Sequence, residues 1–429
     1  MKESVRIGYV GLGRRGTGVL DACFSEMPDV ELVALCDVDT ARMDNAQALL
    51  ARKNRPAAAL YTDYREMLRR EKLDAVIIMT GWNQRLNIAM DAMEAGIPTG
   101  IEVGCAYDLT ECWNLVDTYE RTGTPVMMLE NCCYGRREMA VLKMARENFF
   151  GDIVLCTGGY LHDLRREDLL HKNEDGIYEV NHYRMAEYVH RNCEQYPTHE
   201  LGPISKVLRL NRGNRMLRLR SIPSAAKSLA EFSREQLPAD HPYYNAKVLQ
   251  GDIITTIIDC AGGEQIILTL DTTLPRAYYS RNFGVRGTKG LVEEVKTGVA
   301  TYFRDGDEHV FNNEKEWLDE NDHPLHKEYK NSPRGGHGGM DWLVMRAFVE
   351  SVKKNIAPPI DVYDTALWLS IAPLSEMSIA QDGAPVAVPD FTRGKWFCRE
   401  APISWKFGLD TVCEDPDTPI FPEESGTNP

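Results

Sequence analysis

Two consecutive domains, a doubly wound α/β domain and then an α+β domain with an open, mainly antiparallel sheet, are predicted by three observations. The chain has 429 residues, too many for one average domain and enough for two that each bury a core. Over the first third, apolar runs of strand length alternate with helical stretches of about 10–15 residues, the rhythm of βαβ units and a parallel sheet. Beyond residue 150 that rhythm gives way to β-branched runs meeting at Gly262-Gly263, the mark of an antiparallel hairpin. The domains are therefore drawn at 1–150 and 151–429.

The elements follow in order. Val5 to Val10 is a short apolar strand, and Thr17 to Met27 reads as helix. Val30 to Cys36 is the second strand, ending on Asp37, with a helix from Asp39 to Arg52. Asp74 to Met79 is a buried strand followed by a helix from Gln84 to Ala95, closed by Gly96. Thr99 to Val103, a helix from Thr110 to Arg121 with Gly123 behind it, and Pro125 to Leu129 complete the first domain. In the second, Asp252 to Ile258 and Gln265 to Leu270 form the hairpin, and Phe283 to Val295 and Ala300 to Phe303 extend it. Helices return at Met340 to Lys353 and Tyr363 to Asp382, and a tail rich in Asp, Glu and Pro from Thr411 is expected to pack loosely.

Composition narrows the function classes. Apolar residues are 43% and charged residues 26%, ordinary globular usage, and 49 basic against 64 acidic residues give a net charge of −15. No basic block interrupts the acidic balance, so nucleic acid and anionic membrane are excluded as partners. No apolar run reaches the ~18 residues of a membrane helix, and the N-terminus reads straight into a strand without a secretory pattern. Eleven cysteines, an odd number without any C-x-x-C pair, fit reduced thiols and a cytoplasmic address. No His/Cys/Asp/Glu set shows metal-ligand spacing, nor is a paired-carboxylate glycosidase indicated.

Gly11-Leu12-Gly13-Arg14-Arg15-Gly16 lies between the first strand and the first helix, and Asp37 ends the next strand. In that context each part has a job. Gly11 makes the tight turn, Gly13 admits the pyrophosphate, and Gly16 lets helix and strand pack closely. The helix N-terminus offers N–H groups and positive dipole to phosphate. Asp37 is placed to accept hydrogen bonds from the adenosine ribose and to repel a 2′-phosphate, so NAD is the expected cofactor of a Rossmann domain. Arg14 and Arg15 are the residues that could reach a 2′-phosphate instead. The alternative is a glycine-rich turn without nucleotide.

The motifs also run the length of the chain in order. They include Glu102-Val103, Glu130-Asn131-Cys132-Cys133-Tyr134, Gly158-Gly159-Tyr160-Leu161-His162, Tyr196-Pro197-Thr198-His199, Leu274-Pro275-Arg276-Ala277-Tyr278 and Gly335-Gly336-His337-Gly338-Gly339. On these the chain resembles the glucose–fructose oxidoreductase/inositol dehydrogenase superfamily, and within it the NAD-dependent family 109 glycoside hydrolases of α-N-acetylgalactosaminidase type. Sugar dehydrogenases of the superfamily carry Glu-Lys-Pro where this chain has Glu102-Val103-Gly104. The glycosidase branch usually reads Glu-Val-Pro, so Gly104 departs from both.

The resemblance implies a glycosidase that oxidises a sugar at C3, eliminates the C1 substituent, adds water and reduces the ketone again, with NAD kept bound. His199 and Tyr196 are then expected beside the nicotinamide and C3, with Tyr160, His162 and Tyr278 in the sugar site. Beyond the glycine loop and Asp37, cofactor contacts are expected from Glu102, Glu130, Tyr160 and His199. Imidazole suits the proton step because it titrates near neutrality. Tyr160 and His162, two apart on a strand, share a face, and Glu130 ends a strand at the edge where ligands bind. The plainer alternatives are a helix-capping His199, a half-buried aromatic strand at Tyr160, a capping Glu130, a core Tyr278 and a flexible loop at His337. At the level of function the alternatives are an NAD-dependent sugar or inositol dehydrogenase and a non-catalytic NAD-linked sensor. The partners expected are a small carbohydrate or glycoside and further copies of the same chain.

Overall fold

A computed structural model of the protein describes residues 2–172, 178–180, 183–295, 300–304, 306, 314–399 and 403–422. The first sheet is parallel throughout. It runs in the order β3-β2-β1-β4-β5-β6, from β1 (Val5–Val10), β2 (Val30–Cys36), β3 (Ala59–Tyr61), β4 (Ala75–Ile78), β5 (Thr99–Ile101) and β6 (Val126–Met128). The strands are short and nearly all buried, because helices cover both faces of such a sheet. Those helices are α1 (Arg14–Ala22), α2 (Thr40–Arg52), α3 (Tyr64–Arg70), α4 (Trp82–Glu94) and α5 (Leu109–Thr122). Asp39, Asp63 and Asp108 cap α2, α3 and α5 by accepting backbone N–H groups. Gly123 ends α5 at φ +70. Strand order reverses between β1 and β4, which opens a crevice at their C-terminal ends.

After α6 (Arg136–Arg146) comes the second sheet, in the order β15-β14-β13-β7-β12-β11-β10-β16. Its strands begin with β7 (Ile153–Leu161); β8 (Leu170–Lys172) and β9 (Tyr178–Val180) pair separately. Helices α7 (Arg184–His190) and α8 (Thr198–Val207) precede β10 (Met216–Pro223), and α9 (Ser228–Gln236) follows it. Then come the hairpin β11 (Ile253–Cys260) and β12 (Gln265–Asp271), and β13 (Gly284–Gly287), β14 (Gly290–Glu294) and β15 (Ala300–Arg304). The chain closes through α10 (Glu314–Asn321), α11 (Pro324–Tyr329), α12 (Met340–Lys354), α13 (Val362–Leu369), α14 (Ile371–Ile379) and β16 (Val386–Ala387). All pairings are antiparallel except β7 with β12, so the sheet is the mainly antiparallel one expected.

Three expectations are corrected. The helix read from Tyr363 to Asp382 is two helices, interrupted at Ser370. Pro373 has no N–H for the Leu369 carbonyl, so one continuous ladder is impossible there. The first helix ends at Ala22 and a 3₁₀ turn, Phe24–Glu26, completes the connection. Within the tail's described part, 411–422, packing is firm at one point: Ile420 is fully buried, Trp342 donates to its carbonyl at 3.1 Å, and Phe421 stacks on Tyr329, while residues 423–429 lie outside the described residues. Asp, Glu and Pro dominate the tail's composition, but those two apolar residues hold its described part.

Candidate active site

Glycine geometry makes the cofactor crevice. Gly11 takes φ +96, and a Cβ there would lie 2.8 Å from the Met79 backbone. A Cβ on Gly16 would overlap the Gly11 carbonyl oxygen. Gly13 caps α1 with no side-chain hydrogen bond, leaving the N–H groups of the first turn facing the crevice. Asp37, buried at the end of β2, accepts from Leu12 N at 2.6 Å and Asp39 N at 3.0 Å, with Arg42 at 3.9 Å. Thr80 Oγ1 and Trp82 Nε1, just beyond β4, are buried without a hydrogen-bond partner among the described residues. A buried orphan donor beside an N–H-lined crevice is what a bound dinucleotide would satisfy, and the residues present therefore fit NAD.

Arg14 is exposed, whereas Arg15 turns inward. Arg15 donates Nε to Glu102 at 2.9 Å and both terminal nitrogens to Asp341, at 2.6 and 2.9 Å. Gly104 makes room at the same edge, since a Cβ there would lie 2.6 Å from Arg85 and overlap the Trp82 indole. Arg85 in turn donates to the carbonyls of Glu102 at 2.8 Å and Thr80 at 2.5 Å.

Two residues beyond β6, Glu130 caps a 3₁₀ turn (Asn131–Tyr134), and its side chain is fully buried. Gly202 of α8 lies against this segment, where a Cβ would be 2.9 Å from Cys133 Sγ and 3.1 Å from Glu130 Cγ. That close approach brings His199, in the first turn of α8, to the carboxylate, Nδ1 to Oε1 at 2.8 Å. Burial alone would push the Glu130 carboxyl up, but the His199 imidazole facing it holds it below its ordinary range. Pro203 lacks the N–H that would bond the His199 carbonyl in a regular helix.

Around His199 the rings gather. Tyr196 lies at 4.8 Å and Tyr160 at 5.4 Å between centroids, with Tyr160 and Tyr196 4.6 Å apart. His162 Nδ1 is 3.2 Å from the Tyr160 hydroxyl. Burial pushes the Tyr196 hydroxyl well up, opposed by the Arg184 guanidinium, which sits 4.5 Å over its ring and 5.3 Å over Trp82. The tyrosine expected from the long strand is displaced by one position. Tyr279, not Tyr278, stands 6.0 Å from Tyr160 and 5.3 Å from His162. Both tyrosines are partly exposed, and the Tyr278 ring lies under Arg276 instead. Both lie in the irregular segment just before the isolated Leu161–Ser280 bridge, and of the two only the Tyr279 ring reaches Tyr160 and His162.

Sequence reasoning passed over Trp82, Arg184, Asn131, Asp341 and Tyr279. Asn131 donates to Asp341 at 2.7 Å, and Asp341 also accepts from His337 Nδ1 at 2.9 Å. Asn131 stood in a quoted motif, and Asp341 follows the glycines by one residue of a helix, so both signals were present. Spacing did not suggest a metal set, yet the ligand atoms of Glu130, Cys132 and His199 lie within 4.8 Å of one another. The Glu130–His199 hydrogen bond accounts for that proximity, and burial drives the Cys132 thiol up, away from thiolate. All eleven cysteines are free and nine are buried.

Two family models match, an oxidoreductase family NAD-binding Rossmann fold over residues 5–130 and the C-terminal domain of glycosyl hydrolase 109 over 134–398. The chain belongs to the glycosyl hydrolase 109 family. An alpha-N-acetylgalactosaminidase of Tannerella forsythia is 36% identical over 415 residues, 92% of this chain and 88% of that protein. A glycosyl hydrolase family 109 protein of Stenotrophomonas maltophilia is 37% identical, covering 92% of this chain and 90% of its own. Among solved structures, an NAD binding oxidoreductase from Klebsiella pneumoniae shares the fold at TM-score 0.70 and 16% identity, covering 91% of this chain and 100% of that one. Levoglucosan dehydrogenase in complex with NADH and L-sorbose does so at 0.66 and 16%, covering 91% and 100%. This family 109 member is thus an NAD-dependent glycosidase on a dehydrogenase fold, and no helix among its described residues is long and apolar enough to cross a membrane.

One buried group outside the ring cluster has a measurable consequence. Glu194 is fully buried, and burial pushes its carboxyl up to about 8, against the Tyr196 N–H that bonds it. The folded chain therefore binds a proton between about pH 4.5 and 8 that the unfolded chain releases. The stabilisation is complete at the acid end of that window and is lost as pH rises through it. Glu194→Gln, the uncharged isostere, should flatten the decline in melting temperature between pH 5 and 8, a change of a few kcal/mol in stability. Parallel declines in wild type and variant would show that Glu194 is not the group responsible.

Proposed function

We propose that the protein hydrolyses an α-N-acetylgalactosaminide by transient oxidation of the sugar at C3, and that His199 is the base at that carbon. The observation that carries this is the His199–Glu130 pair at 2.8 Å, set among Tyr196 and Tyr160, in a chain that has Val103 where dehydrogenases of the superfamily carry a lysine. Bound NAD supplies a reversible hydride acceptor. Glu130 fixes the imidazole with Nδ1 toward the protein, so Nε2 faces the sugar and takes the 3-hydroxyl proton. The resulting ketone acidifies the C2 hydrogen, which passes as a proton to a base at the ring cluster while the C1–O bond breaks and the aglycone leaves as its oxyanion, protonated by solvent. Water then adds across C1 and C2 and the ketone is reduced again, His199 returning the proton. Tyr160, Tyr196, His162 and Tyr279 line a site in which apolar ring faces and hydroxyls suit a pyranose. The dinucleotide ends each cycle unchanged in redox state, which favours tight retention.

The test is stoichiometry with a p-nitrophenyl α-N-acetylgalactosaminide. Nitrophenol should be released over many turnovers without added NAD and without accumulation of NADH. NADH rising in step with substrate consumed would establish a dehydrogenase instead. Free, mostly buried cysteines support a reducing, cytoplasmic setting. The outward side of the second sheet, with Leu217 and Ile222 exposed, supports pairing with further copies of the chain.

A further inference from the structure

The phosphate loop is tied to the opposite wall of the cleft by a network that hydrolysis itself does not use. Asp341, in the first turn of α12, is buried and receives three partners: the two terminal nitrogens of Arg15, the Asn131 amide at 2.7 Å, and His337 Nδ1 at 2.9 Å. Arg15, on the first turn of α1, is completed by Glu102 at the end of β5, 2.9 Å away. One carboxylate therefore joins the cofactor loop, the segment after β6 and the glycine turn before α12. A bidentate guanidinium–carboxylate pair fixes orientation as well as distance, and burial strengthens it. The N-terminal dipole of α12 favours a carboxylate at Asp341. Burial would raise that carboxyl, but Arg15 and His337 hold it well below its ordinary range.

The turn itself is built to stay in place. Gly335, Gly338 and Gly339 take φ of +74, +67 and +100, and His337 takes +53, a left-handed winding that glycine tolerates best. The Tyr329 hydroxyl lies 2.9 Å from the carbonyls of both Arg334 and Gly339, and Cys23 Sγ packs 3.0 Å from where a Gly335 Cβ would be. The clasp is therefore anchored on both sides of the cleft.

We infer that the Arg15–Asp341 clasp is the device that retains the dinucleotide, closing the phosphate loop against α12 so that NAD leaves only when the pair opens. The inference rests on the glycosidase reading, in which the cofactor is not exchanged during turnover; a dehydrogenase must release it every cycle. Asp341 and Arg15 are positioning residues here, acting on the cofactor's rate of escape.

The experiment measures NAD exchange on the purified holoenzyme, by chasing bound NAD with an excess of isotopically labelled NAD and counting label on the protein after desalting. Asp341→Asn, which keeps the shape and removes the charge, should speed exchange about 10- to 100-fold, the loss expected for a charge-assisted pair. Arg15→Lys keeps the charge but loses the fork, and should lie between Asp341→Asn and wild type. Because Arg15→Lys preserves the buried charge balance, it remains informative if Asp341→Asn fails to fold. Exchange in either folded variant at the wild-type rate would overturn the clasp. So would wild-type enzyme exchanging within a few turnovers while still releasing nitrophenol without NADH, a result that leaves the glycosidase reading standing. NADH accumulation with substrate would remove both.

Discussion

His199→Ala is expected to lower glycoside turnover by roughly 10²–10⁴-fold, the range for loss of a positioned general base, with NAD content unchanged. The imidazole is the one proton acceptor that the cluster orients through a buried carboxylate, at 2.8 Å. The phosphate and ribose contacts we propose, at Gly11 to Gly16 and Asp37, are on the first domain, so the cofactor should stay. Removing the ring also leaves Glu130 buried and unpaired, a loss worth several kcal/mol. The variant should therefore melt at a lower temperature as well. Measuring bound nucleotide and melting temperature beside kcat separates the two effects. Near-normal turnover in a folded variant would move the proton step to Tyr196 or Tyr160.

Gly16→Ala is expected to abolish NAD retention. Its new methyl group would overlap the Gly11 carbonyl oxygen and lie 3.2 Å from Met79 Cβ. Backbone cannot swing away as a flexible side chain can, so the turn must open and its N–H groups lose their convergence on the pyrophosphate. Affinity should fall by at least about 100-fold, equivalent to about 2.7 kcal/mol or more. The nucleotide released on denaturing purified protein is the readout. Full NAD content in the variant would show that the turn is looser than its geometry indicates.

Much of this site was legible in the sequence, for identifiable reasons. The crevice could be read because each glycine there answers a local steric demand, at Gly11 and Gly16, and Asp37 sits at a strand end that periodicity finds. His199, Tyr196 and Tyr160 stood in motifs dense enough to carry a resemblance. What escaped depends on long-range contact. Nothing in the local pattern joins Arg15 to Asp341, 326 positions apart, and the arginine was read as a phosphate contact because its partner lies in the other half of the chain. Tyr278 and Tyr279 are adjacent in an irregular segment, and no local pattern tells which ring meets Tyr160 and His162. The described part of the tail misled because its composition is polar while the apolar Ile420 is fully buried. Gly104 was visible as a departure, but the space it gives to Trp82 and Arg85 appears only in the fold.

Deuterium at C2 of the released sugar tests the account's central claim most directly. Hydrolysis in deuterated water by wild-type enzyme should yield product labelled at C2, because the C2 hydrogen leaves during elimination and a solvent proton returns with the added water. His199→Ala should lose label and turnover together, since elimination cannot begin before C3 is oxidised. Product released at the full wild-type rate with hydrogen retained at C2, together with no deuterium exchange into recovered substrate, would contradict the oxidation–elimination route.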